Sequence, residues 1–202
     1  MKYFITAIDT DVGKTIISAI VVKALGAAYW KPIQCGDLVF SDTMKVENLV
    51  ENVTTFSEAY ALEFPLSPHE SARLSDVKVN MEKFSLPKER PIVVEGAGGL
   101  MVPLNDQGDL VIDIAKKIDA QIIIVIKNYL GSINHSLLTI DYLKRNNYTI
   151  KGLVINGEST PSSERIIEKI SGCKILFRTP FCENVNSAFI EEQAEIARVA
   201  LS

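Results

Sequence analysis

Five consecutive residues, Ile122-Ile123-Ile124-Val125-Ile126, leave a strand with no polar face. Side chains on a strand point alternately to its two sides, so a run that is apolar on both must be covered on both. That is how a parallel strand flanked by helices reads. The same grammar recurs along the chain. Candidate strands at Tyr3–Ile8, Ala27–Lys31, Pro91–Glu95, Gln121–Lys127, Lys151–Asn156 and Lys174–Phe177 alternate with candidate helices. The helices are read at Lys14–Gly26, Asp109–Ile118, Ser132–Asn146, Ser162–Ile170 and Ala188–Leu201. Such alternation predicts an α/β fold, a single doubly wound and mostly parallel sheet with helices on both faces. The chain length, 202 residues, fits one domain spanning 1–202. The stretch Gly36–Arg90 carries Pro65, Pro68 and Pro87 and only weak periodicity. One or two helices plus long loops are expected there.

Charge narrows the function. Lys plus Arg is 21 and Asp plus Glu is 25, a net charge of −4. A chain that works on a nucleic-acid backbone needs a basic footprint, and this one lacks it. The N-terminus turns acidic at Asp9, too early for a signal peptide, and no apolar run approaches a membrane span. Cytoplasmic location is the expectation. Three cysteines, Cys35, Cys173 and Cys182, form no disulfide framework, and neither histidine has a partner at metal-ligand spacing.

Open parallel sheets bind ligands beyond the carboxyl ends of their strands, and three segments there carry chemistry. After the first strand comes Thr10-Asp11-Val12-Gly13-Lys14-Thr15, which opens a helix. Gly-Lys-Thr in that setting ends a phosphate-binding loop: backbone N–H groups cradle phosphates, the lysine reaches the outer ones, and the threonine hydroxyl ligates magnesium. The strict motif has a glycine five residues before Gly13, where this chain has Ile8. After the third strand comes Glu95-Gly96-Ala97-Gly98-Gly99, small residues that admit a ligand close to the backbone beside one hard oxygen donor. After the second comes Lys31-Pro32-Ile33-Gln34-Cys35-Gly36, with Ser41-Asp42 further on.

Taken in order with Leu130-Gly131-Ser132-Ile133-Asn134-His135 and Ser67-Pro68-His69, these segments closely resemble dethiobiotin synthetase, across residues 3 to about 181. That resemblance implies a P-loop NTPase-like fold and an ATP- and magnesium-dependent cyclo-ligase of biotin biosynthesis. Its substrates would be ATP, carbon dioxide and 7,8-diaminopelargonate, and its intermediates a carbamate and a carbamic-phosphoric anhydride. By matching position, Lys31 is the catalytic lysine, acting with Lys14. Asp11, Val12, Gly13, Lys14, Thr15 and Ile16 form the phosphate loop, with Gly96, Ala97 and Gly98 beside the nucleotide. Thr15, Asp42 and Glu95 hold the metal, with Asp37 a rival to Asp42. Thr10 lies between nucleotide and substrate. Cys35 falls where many members have a serine or threonine that contacts the substrate, and a thiol is a weak donor. Asn156, Thr179, Pro180 and Phe181 match residues around the adenine, with Gly157 where many members have aspartate. The family is homodimeric, and Leu130, Gly131, Ser132, Ile133 and Asn134 match a helix start that holds the substrate carboxylate from the partner subunit.

A partition-type ATPase switch is the main competing expectation. Such proteins place a signature lysine five residues before the loop lysine, and Asp9 stands there. They also dock on membranes through a basic terminal helix, whereas the last helix here carries Glu191, Glu192 and Glu195. A synthetase with an attached glutaminase has no room in this chain. An inactive scaffold would not need Lys14, Thr15, Lys31 and Glu95 together.

Overall fold

The apolar run Ile122–Ile126 lies inside a seven-stranded sheet, and all five of its residues are fully buried. The computed structural model describes residues 1–88 and 91–202. In chain order the elements are β1 (Lys2–Ala7), α1 (Lys14–Leu25), β2 (Ala28–Trp30), β3 (Ile33–Cys35), α2 (Asp42–Leu49), β4 (Thr55–Phe56) and β5 (Tyr60–Leu62). There follow α3 (Pro68–Leu74), β6 (Ile92–Glu95), α4 (Val111–Lys117), β7 (Gln121–Ile126), α5 (Ser132–Arg145), β8 (Ile150–Asn156), α6 (Pro161–Ser171), β9 (Ile175–Thr179) and α7 (Ser187–Leu201). The sheet runs β4-β2-β6-β1-β7-β8-β9, and every neighbouring pair is parallel. All carboxyl ends therefore face one edge. Helix α1 packs against α2 and α7, and α5 packs against α6, giving the three-layer α/β/α arrangement.

Element ends follow local chemistry. Helix α1 begins after Gly13, whose φ of 91° only glycine adopts readily, and stops at Gly26, whose N–H caps the Val22 carbonyl. Helix α6 opens on Pro161 at its first turn. Among the described residues no helix is long and apolar enough to cross a membrane.

The segment after Gly36 corrects the sequence reading. Its two helices, α2 and α3, are joined by strands that were not expected: β4 adds a seventh strand at the sheet edge, and β5 pairs with β3 in a separate two-stranded parallel sheet. Strands of two or three residues are too short to show a period of two, which is why they escape a pattern-based reading. The last two residues of that stretch, 89 and 90, lie outside the described residues.

Candidate active site

Two strand ends and the start of α1 converge on one buried carboxylate. Strand β6 delivers Glu95, which is fully buried, and β2 delivers Lys31, 4% exposed. The Lys31 ammonium donates to Glu95 Oε1 at 2.9 Å and to the Gly96 carbonyl at 3.1 Å, and it pairs with Asp42 Oδ2 at 2.7 Å. From the start of α1, the Thr15 hydroxyl donates to the same Glu95 Oε1 at 2.9 Å. The back oxygen, Oε2, accepts a 2.9 Å bond from the Tyr29 hydroxyl. Helix α2 places Asp42 at its first position, where Ser41 Oγ caps the Met44 N–H and Gln34 Oε1 accepts from the Asp42 N–H. A carboxylate at that end is also favoured by the helix dipole.

The loop before α1 is sharply bent. Asp11 and Gly13 both have positive φ, 54° and 91°. Lys14 folds back so that its ammonium donates to the Asp9 carbonyl at 3.1 Å. A methyl group on Gly13 would lie 2.0 Å from Asn156 Nδ2, which itself donates to the Val12 carbonyl at 2.8 Å. A larger residue here would have to adopt a strained φ and displace the Asn156 side chain. Gly96 is constrained in the same way from below, where an added Cβ would meet the Phe4 ring at 3.0 Å.

Burial and crowding set the charges. Burial, reinforced by the Lys31 cation, lowers the Lys14 ammonium to about 8. Burial also pulls on Lys31, but Glu95 and Asp42 outweigh it and hold that lysine above its ordinary value. Asp42 is raised by burial and lowered more by Lys31 and then Lys45, so it stays ionised. Burial pushes the Cys35 thiol up to about 11, which keeps it a neutral thiol. Tyr29 is raised well above a phenol's usual value by burial and then by Glu95, so it remains a donor.

These groups border a cavity of about 760 Å³, within the range of small-molecule sites. Of the residues singled out by sequence, Thr10, Asp11, Gly13, Lys14, Thr15, Ile16, Lys31, Cys35, Asp37, Asp42, Glu95, Ala97 and Gly98 line it. Val12 is buried beneath the loop, and Gly96 contributes its carbonyl to Lys31. Asp37, the rival to Asp42, lies farther out; its side chain is 73% exposed and 3.8 Å from Lys45. Asn156, Gly157, Thr179, Pro180 and Phe181 lie at the ends of β8 and β9, outside the cavity lining, with the Gly157 N–H bonded to the Thr179 carbonyl. Leu130 to Asn134 also lie outside it. Leu130 is fully exposed and Gly131 starts α5 at a φ of 111°. Next to them the Tyr129 hydroxyl lies 2.7 Å from His135 Nδ1 and donates to Asp9 Oδ2 at 3.4 Å.

Sequence reasoning missed Tyr29, Gln34 and Lys45. Tyr29 could have been found, because the strand expected at Ala27–Lys31 carries it two residues before Lys31 and so on the same face. Lys45, which donates to Asp42 Oδ1 at 3.2 Å and lines the cavity, carries no comparable signal.

Two carboxylates and a hydroxyl converge here, and among the described residues no group of three or more His, Cys, Asp or Glu forms a metal cage. That donor set fits magnesium, which keeps much of its water and takes further ligands from substrate phosphates.

A family model described as an AAA domain matches residues 1–188. The ATP-dependent dethiobiotin synthetase BioD of Christiangramia forsetii is 43% identical, covering 99% of this chain and 97% of that protein. The protein of the same name from Cytophaga hutchinsonii is 44% identical, over 96% of this chain and 95% of its own. Among solved structures, the septum site-determining protein MinD of Pyrococcus horikoshii, complexed with Mg-ADP, superposes with a TM-score of 0.61 at 14% identity, covering 99% and 98% of the two chains. A ParA family ATPase from Chlorobium tepidum gives 0.59 at 15% identity, again over 99% and 98%. At such identity these two show the fold alone.

Proposed function

The chain belongs to the dethiobiotin synthetase family and is an ATP-dependent ligase of biotin biosynthesis, and from that premise we propose the reaction it runs. It joins carbon dioxide to the neighbouring amines of 7,8-diaminopelargonate and closes a ureido ring. One amine adds to carbon dioxide and loses a proton, forming a carbamate. The carbamate oxygen attacks the γ-phosphorus of ATP, breaking the bond to the β,γ-bridging oxygen and releasing ADP. The second amine then attacks the carbamoyl carbon, loses a proton and expels phosphate.

The observation that carries this reading is the Lys31 ammonium, buried at one end of the cavity and anchored by Glu95 at 2.9 Å and Asp42 at 2.7 Å. Phosphoryl transfer asks a protein for alignment and for fixed charge where negative charge is shared, with little covalent work. Lys31 supplies that charge between carbamate and γ-phosphate, its position held by two anions that cost no reorganisation during the step. Lys14 binds the outer phosphates, and the N–H groups of Asp11 to Ile16 hold the rest. Thr10 separates nucleotide from diamine. Thr15, Asp42 and Glu95 would hold magnesium, which when bound offsets the phosphate charge. The adenine lies by Asn156, Gly157 and Thr179 to Phe181.

The chain works as one domain and as a two-fold homodimer in the cytoplasm. Residues Leu130 to Asn134 begin a helix at the ligand edge, where free N–H groups suit the diamine's carboxylate, and they serve the neighbouring subunit's site.

The test is a coupled assay of phosphate release with diamine, bicarbonate and magnesium varied singly. Release that needs diamine and bicarbonate together is the expected result; brisk hydrolysis with neither present would instead indicate a nucleotide switch. Sharing of sites is tested by mixing Lys31→Gln with Gly131→Val subunits after confirmed exchange. Activity returns to a fraction of wild type if sites are shared and stays absent if each chain builds its own.

A further inference from the structure

On the side of the sheet away from Lys31, a second buried carboxylate ties strand ends together. Glu164, in the first turn of α6, is 2% exposed and carries four donors. Its Oε1 accepts from Ser159 Oγ at 2.7 Å, from the Thr160 N–H at 2.8 Å and from Asn128 Nδ2 at 3.1 Å. Its Oε2 accepts from Arg178 Nε at 2.8 Å. Asn128 follows β7, Ser159 and Thr160 follow β8, and Arg178 lies on β9. One side chain therefore fixes the carboxyl ends of three adjacent strands.

What these ends carry gives the clamp a purpose. Arg178 immediately precedes Thr179, whose carbonyl holds the Gly157 N–H at 2.8 Å. Asn156 pairs in register with Thr179 and reaches the phosphate loop through the Val12 carbonyl. Thr179 Oγ1 and Asn128 Oδ1 are both buried and have no hydrogen-bond partner among the described residues. The phosphate side of the cavity contains none of these residues.

The geometry points to Glu164 as a positioning residue for the nucleobase: it holds the ends of β7, β8 and β9 at the spacing that receives the purine, and so sets the nucleoside's share of ATP affinity. This rests on the reading that the base lies at Asn156–Gly157 and Thr179–Phe181. Glu164 touches neither phosphate nor diamine, so its loss is felt on one part of one substrate. Its donors, which outweigh burial and keep it below the usual carboxylate range, show that the clamp is charged at neutral pH.

The test compares binding of ADP and of inorganic pyrophosphate to the full-length protein by calorimetry, because their difference in affinity isolates the adenosine. Wild type binds ADP more tightly than pyrophosphate. In Glu164→Ala the affinity for ADP and the KM for ATP worsen about tenfold, the loss expected when charged hydrogen bonds go. Pyrophosphate affinity and the KM for the diamine stay within about twofold, against the same scale. Glu164→Gln, which keeps an acceptor for Ser159 and Thr160 but removes the charge facing Arg178, falls between and guards against an unfolded alanine variant. A general structural role would weaken ADP and pyrophosphate alike, and that result overturns the proposal. So does an unchanged gap between them in both variants. If Phe181→Ala closes the gap while the Glu164 variants do not, the base site stands and the clamp fails. If wild type shows no gap, the base-site reading falls and the clamp with it.

Discussion

Replacing Tyr29 with phenylalanine removes one oxygen and tests how the central carboxylate is held. Tyr29 is fully buried, and its hydroxyl is the donor to Glu95 Oε2, at 2.9 Å; Thr15 and Lys31 both serve Oε1. The substitution leaves the ring and its packing in place. What it takes away is one hydrogen bond to a fully buried carboxyl group that also pairs with Lys31, worth about 1.5–3 kcal/mol. No water replaces it easily, since the phenol is fully buried and does not line the cavity. A loss of about 2 kcal/mol follows, and for a chain of this size it lowers Tm by roughly 4–8 °C. Freed at its back oxygen, Glu95 rotates, and its front oxygen meets Thr15 and a bound cation less often. The magnesium concentration for half-maximal activity therefore rises about tenfold, as when a ligand's supporting hydrogen bond is lost. Denaturant unfolding gives the first quantity. Manganese binding in the presence of ADP, followed by electron paramagnetic resonance, gives the second without relying on turnover. Stability within about 0.5 kcal/mol of wild type, with an unshifted metal curve, would refute the reasoning.

Three further outcomes are expected. Lys31→Gln keeps a donor between Asp42 and Glu95, where alanine would strand two carboxylates; turnover falls at least about a hundredfold while ADP affinity changes only a few-fold, which stopped-flow and calorimetry separate. Gly13→Ala combines a strained backbone with a Cβ placed 2.0 Å from Asn156 Nδ2 and costs about 2–3 kcal/mol. The same change in an Asn156→Ala background costs less, because the clash is gone, and a double-mutant cycle of unfolding energies reads the difference. Glu164 titrates in the folded protein below its ordinary value of 4.5, since its hydrogen bonds and Arg178 outweigh burial. The stability it contributes is complete above about 4.5 and is lost as pH falls through the lower folded value. The gap between wild type and Glu164→Gln in urea unfolding is therefore full at pH 7 and shrinks below that point; a gap that widens in acid would contradict the sign.

The sequence by itself determined the elements whose signal is local. Five uninterrupted apolar residues at 122 to 126 require cover on both faces, whatever the rest of the chain does, and the glycine at 13 before Lys14-Thr15 sets the junction of strand-following loop and helix where α1 begins. The observed ends of the six expected strands lie within two residues of those read from the pattern. The ordered set of motifs also carried the family. Tertiary structure alone decided what depends on pairing between distant segments. Strands β3, β4 and β5 are too short for periodicity to register, and they exist because neighbouring backbones satisfy their hydrogen bonds. Nothing in Tyr29, Thr15, Lys31, Asp42 or Glu95 as separate letters says that one carboxylate serves three donors and that one lysine joins two acids. That follows from β2 lying beside β6, and β6 beside β1, in parallel register, which brings residues up to 80 positions apart to 2.9 Å. Glu164 is the same case for Asn128 and Arg178, which reach it through the sheet, while Ser159 and Thr160 are its neighbours in the chain. A buried charge is tolerated only where several donors meet it, and their meeting place is a property of the folded sheet, with no trace in local spacing.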